Sequence, residues 1–319
     1  MAIPKLSVII VNYRSSDALE HCLRSLHVAT KASLEIILID NSPEEGAQNR
    51  MVLGGAKKVL QAGGWHSHYF PQADNIGYTK AANHGARHAL GETLCFLNPD
   101  MILEAHSLDR MLAWVEQHPR TVVGPRERNV DGQIVTTAFP FVTRRYVWGA
   151  NLLYKFPWPR SWQPTLPWLV PPYQYARRCC TATEPFIAAV LSGSCLVMLA
   201  DVWRTVGDHR FGRPARRTAK AGGDPADGGG WNEELTYFGL ESEWFKRARD
   251  AGVTAWYLPA AEVFHEHAQS IRRADHWRVR DEADRNRRWH ARRFGLAVLA
   301  ILAVVLWLEE KFRPSRRSF

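Results

Sequence analysis

The sequence predicts an α/β fold: a mostly parallel sheet flanked by helices. Three stretches carry the prediction. Leu6–Val11 is a short, mostly apolar run and reads as a buried first strand. Ala18–Leu26 places Leu19, Cys22, Leu23 and Leu26 at helical spacing, with Ser15-Ser16-Asp17 ahead of it as a cap signal. Glu35–Ile39 reads as a second strand and ends in Asp40-Asn41-Ser42. Strand, helix and strand with short connections form a βαβ unit, so the two strands run parallel with a right-handed crossover.

The next elements extend this sheet. Residues 43–66 have no clear pattern, and Gly54-Gly55 and Gly63-Gly64 interrupt them. Ser67–Phe70 reads as a third strand. Asn75-Ile76-Gly77-Tyr78 reads as a turn with Asn75 as cap, opening a helix from about Thr79 to Leu90 that Gly91 stops. Ala81, Ala82 and Gly85 would let that helix lie close to a sheet. Thr93–Leu97 is a short buried strand, and Asn98-Pro99-Asp100 ends it because proline cannot continue a ladder. Asp40 and Asp100 are therefore expected on one carboxyl edge, where open α/β sheets bind ligands. Glu104–Gln117 reads as a helix burying Leu108, Met111, Leu112 and Val115. Thr121–Gly124 and Ile134–Thr137 flank a hairpin turn at Asp131-Gly132.

The chain changes character after Phe139. Residues 140–178 are rich in Pro, Trp, Tyr and Arg, and residues 209–230 in Gly, Arg, Ala and Pro; both read as long loops, the second as a flexible lid. Between them Ala188–Leu199 is apolar chain broken by Ser192-Gly193-Ser194. A helix is expected from about Glu241 to Ala251, then strands near Val253–Leu258 and Ala261–His265. The tail combines an arginine-rich segment, 275–293, with an apolar run, 295–308. Fourteen helical residues rise only about 21 Å, short of a hydrocarbon core of about 30 Å. The basic flank suits an interfacial helix at anionic lipid; a buried core helix is the alternative.

Composition narrows the partners. The net charge is +9, which favours an anionic ligand such as a nucleotide or a lipid headgroup; nothing in the sequence resembles a nucleic-acid-binding module. Hydrophobic residues make up 46% of the chain, enough for a sizeable core. The five cysteines include an adjacent pair and no C-x-x-C, which argues for a reducing compartment rather than a disulfide framework. The apolar run at the start is too short for a signal peptide.

The motif N-x-G-Y-x-x-x-A-N-x-G of residues 75–85, followed by Leu97-Asn98-Pro99-Asp100, resembles the signature of family 2 glycosyltransferases of the GT-A fold, nearest to the rhamnosyltransferase-like enzymes. The resemblance extends over about residues 5–270. It implies a nucleotide-sugar-binding half over 1–130 and an acceptor-binding and catalytic half over 131–275; the basic and apolar composition of 276–319 reads as a membrane-associating tail.

The resemblance also implies site residues. Asp100 matches the family's metal-ligating aspartate, for Mn²⁺ or Mg²⁺, with Asn98 beside it at the ribose or in the turn. Val11 and Tyr13 match positions that pack on base and ribose, and Asp40 the carboxylate that accepts from the base; a pyrimidine imide N–H would suit it, favouring UDP- or dTDP-linked donors. Asn75, with Asp74, is a further candidate at the nucleotide. In His265-Glu266-His267-Ala268-Gln269-Ser270, His265 matches a histidine near the metal or the donor phosphates, and His267 is a second candidate. The family's acidic pair falls on Leu240-Glu241, so one acid is missing, and a third acid falls on Glu243. Helical geometry puts Glu241 with Trp244, Phe245 and Ala248 on an inward face, and Glu243 with Lys246, Arg247 and Asp250 on a solvated one. Glu241 is therefore the expected base and Glu243 the reserve.

The expected reaction is inverting transfer of a sugar from a nucleoside diphosphate to a hydroxyl of a glycan or lipid-linked acceptor, at the cytoplasmic face of the cell membrane. A sugar-nucleotidyltransferase is an alternative, weakened by the absence of glycine in Asn12–Ser16. A non-catalytic relative that binds glycan or membrane is another, kept open by Leu240.

Overall fold

The structure is a computed structural model; it describes residues 3–42, 55–56, 58–141, 171–206, 230–235 and 240–266. The expected loops at 140–178 and 209–230 lie mostly outside these residues, and the 275–319 tail and His267 entirely so.

Twelve strands are described: β1 Leu6–Asn12, β2 Leu34–Asp40, β3 His66–Pro71, β4 Thr93–Leu97, β5 Met101–Leu103, β6 Thr121–Arg128, β7 Ile134–Val135, β8 Ala138–Phe139, β9 Phe186–Ala188, β10 Val190–Leu191, β11 Cys195–Leu199 and β12 Thr254–His265. The helices with full bounds are α1 Ser16–Ala29, α2 Tyr78–His88, α3 Ser107–Gln117, α4 Pro171–Thr181, α5 Ala200–Val206 and α6 Leu240–Asp250. Ten strands form one sheet in the order β3-β2-β1-β4-β11-β6-β12-β5, with β7 added to β6 and β9 to β12; β8 and β10 form a separate pair. Strands β3, β2, β1 and β4 are mutually parallel, as are β6 and β12, while β11 runs antiparallel between β4 and β6. The α/β fold with a mostly parallel sheet is therefore present. The two halves expected on either side of residue 130 share this one sheet.

Strand periodicity divides the core. Val8 and Ile10 face one side, packing with Leu19, Leu23 and Leu26 of α1 and Met111 and Val115 of α3. Ile9 and Val11 face the other, with Ala81 and Ala82 of α2 and the indoles of Trp203, Trp231 and Trp244. The small-residue reading of α2 has a direct geometric basis. A Cβ on Gly85 would lie 2.6 Å from Ile9 Cγ2, so only glycine allows this approach.

Several expected boundaries change for identifiable reasons. Helix α2 ends at His88, and Gly91 instead serves close packing, since a Cβ there would lie 2.7 Å from the Ser7 backbone nitrogen. Asn75 does not cap this helix: its Oδ1 accepts from the Gly77 N–H at 3.0 Å, closing a turn, and Gly77 with φ +85 is the cap residue. Residues 101–103, ahead of α3, form β5 against β12. The two expected late strands are one strand, β12, with a register shift between Leu258 and Glu262. Strand β6 runs past Pro125 to Arg128. Its pairs with β11 involve Val122 and Val123, and those with β7 involve Glu127 and Arg128, so on that edge Pro125 falls between two neighbours, while on the other it stays in register with Leu258 of β12.

Candidate active site

Parallel strands deliver their last residues to one edge, and the polar residues gather there. Asn12 ends β1, Asp40 ends β2, Asp100 follows β4, Glu127 lies near the end of β6, and His265 ends β12.

On the β1–β2 side, Asp40 is 4% exposed and closely held. Its Oδ1 accepts from Asn12 Nδ2 and from the Ser42 N–H, each at 3.1 Å, and its Oδ2 accepts from the Tyr69 hydroxyl at 3.0 Å. Tyr13 is partly exposed just beyond β1, with the Arg14 guanidinium 5.2 Å from its ring centroid. Val11 is nearly buried and packs in the core. Asn75 stands at the turn before α2, where Asn41 Nδ2 also donates to the Gly77 carbonyl at 3.3 Å.

The centre of the edge holds a carboxylate–imidazole–carboxylate chain. His265 Nε2 lies 3.2 Å from Asp100 Oδ1, and His265 Nδ1 lies 2.9 Å from Glu127 Oε2. Asp100 and Glu127 are 5% and 2% exposed. Burial works against charge on His265, but hydrogen bonds to Asp100 and Glu127 outweigh it and raise its pKa to about 9. The donor set fits a divalent cation. With Nδ1–H held by Glu127, a cation can replace the proton on Nε2 and take Asp100 Oδ1 as a second ligand, the usual carboxylate–histidine support of a metal centre. Asn98 is half-buried in the same corner, and its N–H donates to the Ser194 carbonyl at 2.8 Å.

Ser192-Gly193-Ser194 joins this chain to the helix that carries the candidate base. Ser194 Oγ donates to Glu127 Oε1 and lies 2.9 Å from Ser192 Oγ. Gly193 lies against Glu241: a Cβ on it would stand 2.9 Å from Glu241 Oε1. Burial raises the Glu241 carboxyl to about 7; its own N–H and that of Gly193, both bonded to it, hold it back from rising further. Its side chain keeps some surface exposure. The Tyr78 phenol is pushed well above its usual range by burial and then by the nearby Glu241 carboxylate, so the N-x-G-Y motif opens onto the same place.

Glu243 departs from the expected solvated face. It is 9% exposed, and both its oxygens bind Arg247, through Nε and Nη2 at 2.8 Å each. Arg247 also donates to the Val206 carbonyl at 3.2 Å and the Gly230 carbonyl at 2.8 Å. Val206 is the last residue of α5, so Arg247 satisfies a helix-end carbonyl and must point inward, taking Glu243 with it. The helical-face argument lacked this tertiary partner.

Two residues of the site were not singled out from the sequence. Glu127 was missed because the strand expected over Thr121–Gly124 stops short of it. Asn83, inside the N-x-G-Y-x-x-x-A-N-x-G motif, accepts from the Trp231 N–H at 2.8 Å, donates to the Trp231 carbonyl at 2.9 Å and to Glu233 at 3.0 Å. It pins the 230–235 segment to α2. A polar residue among small ones on a helix was the available signal.

Comparison with known proteins identifies the family. The sequence profile of "Glycosyl transferase family 2" matches residues 7–170. A Mycobacterium tuberculosis (strain H37Rv) protein, N-acetylglucosaminyl-diphospho-decaprenol L-rhamnosyltransferase, is 26% identical over 285 residues, covering 84% of this chain and 78% of its own length. Among solved structures, GalNAc-T7 with UDP, GalNAc and Mn²⁺ superposes with a TM-score of 0.52 at 16% identity, over 82% of this chain and 44% of that one. S. aureus TarS 1–349 in complex with UDP-GlcNAc gives a TM-score of 0.50 at 13% identity, over 85% of this chain and 61% of that one. At such identities these structures speak for the GT-A fold alone. With the profile spanning half of the sequence, the chain belongs to glycosyl transferase family 2.

Proposed function

We propose that this glycosyltransferase moves a sugar, with L-rhamnose the first candidate, from a dTDP- or UDP-linked donor to a hydroxyl of a lipid-linked glycan, with inversion and with a divalent cation. The likeness to the mycobacterial rhamnosyltransferase supports an acceptor of the N-acetylglucosaminyl-diphospho-polyprenol class and a role in cell-surface polysaccharide synthesis. Work on such an acceptor would place the enzyme at the cytoplasmic face of the membrane. Among the described residues no helix is long and apolar enough to cross one; the basic and apolar run over 276–319 is the segment assigned to that contact.

The observation that carries the reading is the placement of Glu241. Its carboxyl, near pKa 7, is fixed by Gly193, and the same three-residue segment supports the Asp100–His265–Glu127 chain. A base of that pKa takes a proton from a hydroxyl efficiently at neutral pH. The acceptor O–H proton passes to Glu241 as its oxygen bonds to the anomeric carbon, and the bond from that carbon to the donor phosphate oxygen breaks. Asp100 and His265 would hold a Mn²⁺ or Mg²⁺ ion, the imidazole favouring Mn²⁺; such an ion neutralises charge on a departing diphosphate. Glu127 keeps His265 oriented. Asp40, Tyr13, Val11, Asn75 and Asn98 are the residues assigned to the nucleoside side.

The test is nucleoside diphosphate release from UDP-, dTDP- and GDP-sugars, with and without Mn²⁺, with N-acetylglucosaminyl-diphospho-polyprenol or a membrane lipid extract as acceptor. Metal-dependent release from one donor, abolished by Asp100→Ala, is expected. Absence of release from every donor would overturn the proposal.

A further inference from the structure

A second cluster of ligand-type side chains lies at the opposite end of the sheet. Glu35 is the second residue of β2, and His66 and His68 lie on the neighbouring strand β3, paired in the register Glu35↔His66 and Ile37↔His68. The strand period puts all three on one face. Asp40, on the nucleotide side, is five residues further along β2, about 17 Å at the usual rise per residue.

Glu35 is wholly buried, yet only one of its oxygens is satisfied. Oε2 accepts from Ser7 Oγ and from the Leu90 N–H at 2.9 Å. Oε1 has no hydrogen-bond partner among the described residues, and neither has the buried Nε2 of His68. These two atoms face each other at 3.4 Å, and His66 Nδ1 stands 3.6 Å from the same oxygen. Two imidazole nitrogens converging on one carboxylate oxygen form a donor set that a single shared cation can bridge. Their spacing is informative. Zinc bonds of about 2.0–2.1 Å in tetrahedral geometry put neighbouring ligand atoms about 3.3 Å apart. All three ligand atoms lie within 4.8 Å of one another.

We propose that Glu35, His66 and His68 bind a zinc-class divalent cation at a site separate from the Asp100–His265 pair. Two imidazoles and one carboxylate select zinc or a similar borderline ion over Mg²⁺. His66 is exposed and His68 half-buried, so water reaches the fourth position. The ion fastens β3, the outermost strand at this side of the sheet, to β2. Through Glu35 it also reaches the Leu90–Gly91 corner, where the Gly91 N–H donates to Ser7 Oγ at 2.8 Å. This is a structural clamp, and it does not depend on which sugar the enzyme transfers.

The test uses the full chain without a histidine tag, in a background carrying Asp100→Ala and His265→Ala so that the other pair cannot contribute. After chelator treatment and equilibrium dialysis against buffered micromolar Zn²⁺, one zinc per chain is expected. Zinc should raise the Tm by several degrees. Adding His66→Gln and His68→Gln should abolish both the bound zinc and the shift. Equal zinc content with and without the histidines would overturn the proposal, as would no uptake by the background protein. X-ray absorption on the zinc-loaded background protein keeps the test decisive if the histidine variant folds poorly. Nitrogen and oxygen neighbours with an imidazole signature are expected, and sulfur ligation would refute the site.

Discussion

Gly193→Ala is the substitution that most directly probes the coupling between the Ser192–Ser194 segment and the base. The added methyl would lie 2.9 Å from Glu241 Oε1, 3.5 Å from its Cγ and 3.6 Å from its Cδ. Ordinary contact begins at 3.4 Å, so the carboxylate must retreat by about 0.5 Å. A carboxylate at the end of a flexible side chain can yield by that amount without disturbing the backbone. Gly193 is not among the glycines with positive φ, so alanine suits its backbone and can stabilise by roughly 0.4–1 kcal/mol through the unfolded state. Stability is thus expected to hold while chemistry suffers. A misplacement of 1 Å can cost about 100-fold, so half of that predicts roughly a tenfold fall in kcat, or about 1.4 kcal/mol in the barrier. Retreat also weakens the Gly193 N–H bond that holds the Glu241 pKa down, so the acid limb of the pH–rate profile should move above 7. The assay is diphosphate release over pH 5.5–9, with Tm measured in parallel. A variant with unchanged kcat and an unmoved limb would refute the placement of Glu241 as base. A kcat loss matched by a large fall in Tm would refute the separation of folding from chemistry.

Four further outcomes follow from the same geometry. Glu241 acts ionised and its carboxyl titrates near 7, so in the parent enzyme log kcat should fall about one unit per pH unit below that value. Glu241→Gln should remove this limb and cost roughly 10²–10⁴ in rate, and a retained limb would assign it to another group. Glu243→Ala removes the carboxylate that binds buried Arg247 through both Nε and Nη2. Denaturant unfolding should show a loss of about 3 kcal/mol, and a change within about 0.5 kcal/mol would mean the pair is solvated after all. Gly85→Ala forces a methyl 2.6 Å from Ile9 Cγ2; overpacking of about 1–3 kcal/mol against a helix gain of about 1 kcal/mol predicts net destabilisation in the same assay.

The sequence by itself determined the elements whose signal is local. Leu6–Asn12 and Leu34–Asp40 are fully buried strands built around the apolar runs Val8–Val11 and Ile36–Ile39. Parallel pairing followed from the βαβ connection, and with it the common edge for Asp40 and Asp100. The closeness of α2 to the sheet was legible in Ala81, Ala82 and Gly85. Helical periodicity placed Glu241 inward, where burial now raises its carboxyl.

The tertiary structure decided everything that required a partner distant in sequence. Glu243 turned inward because Arg247, its helical neighbour, reaches carbonyls of residues 206 and 230. Glu127 entered the site because β6 continues through Pro125, which stays in register with Leu258 of β12. Periodicity reports which face of an element is apolar, but not which orphaned carbonyl or carboxylate waits on the other side. The Glu35–His66–His68 cluster makes the same point: a glutamate in an apolar strand and two histidines thirty residues on carry no local signal. Only strand pairing in the register Glu35↔His66 brings them to one place.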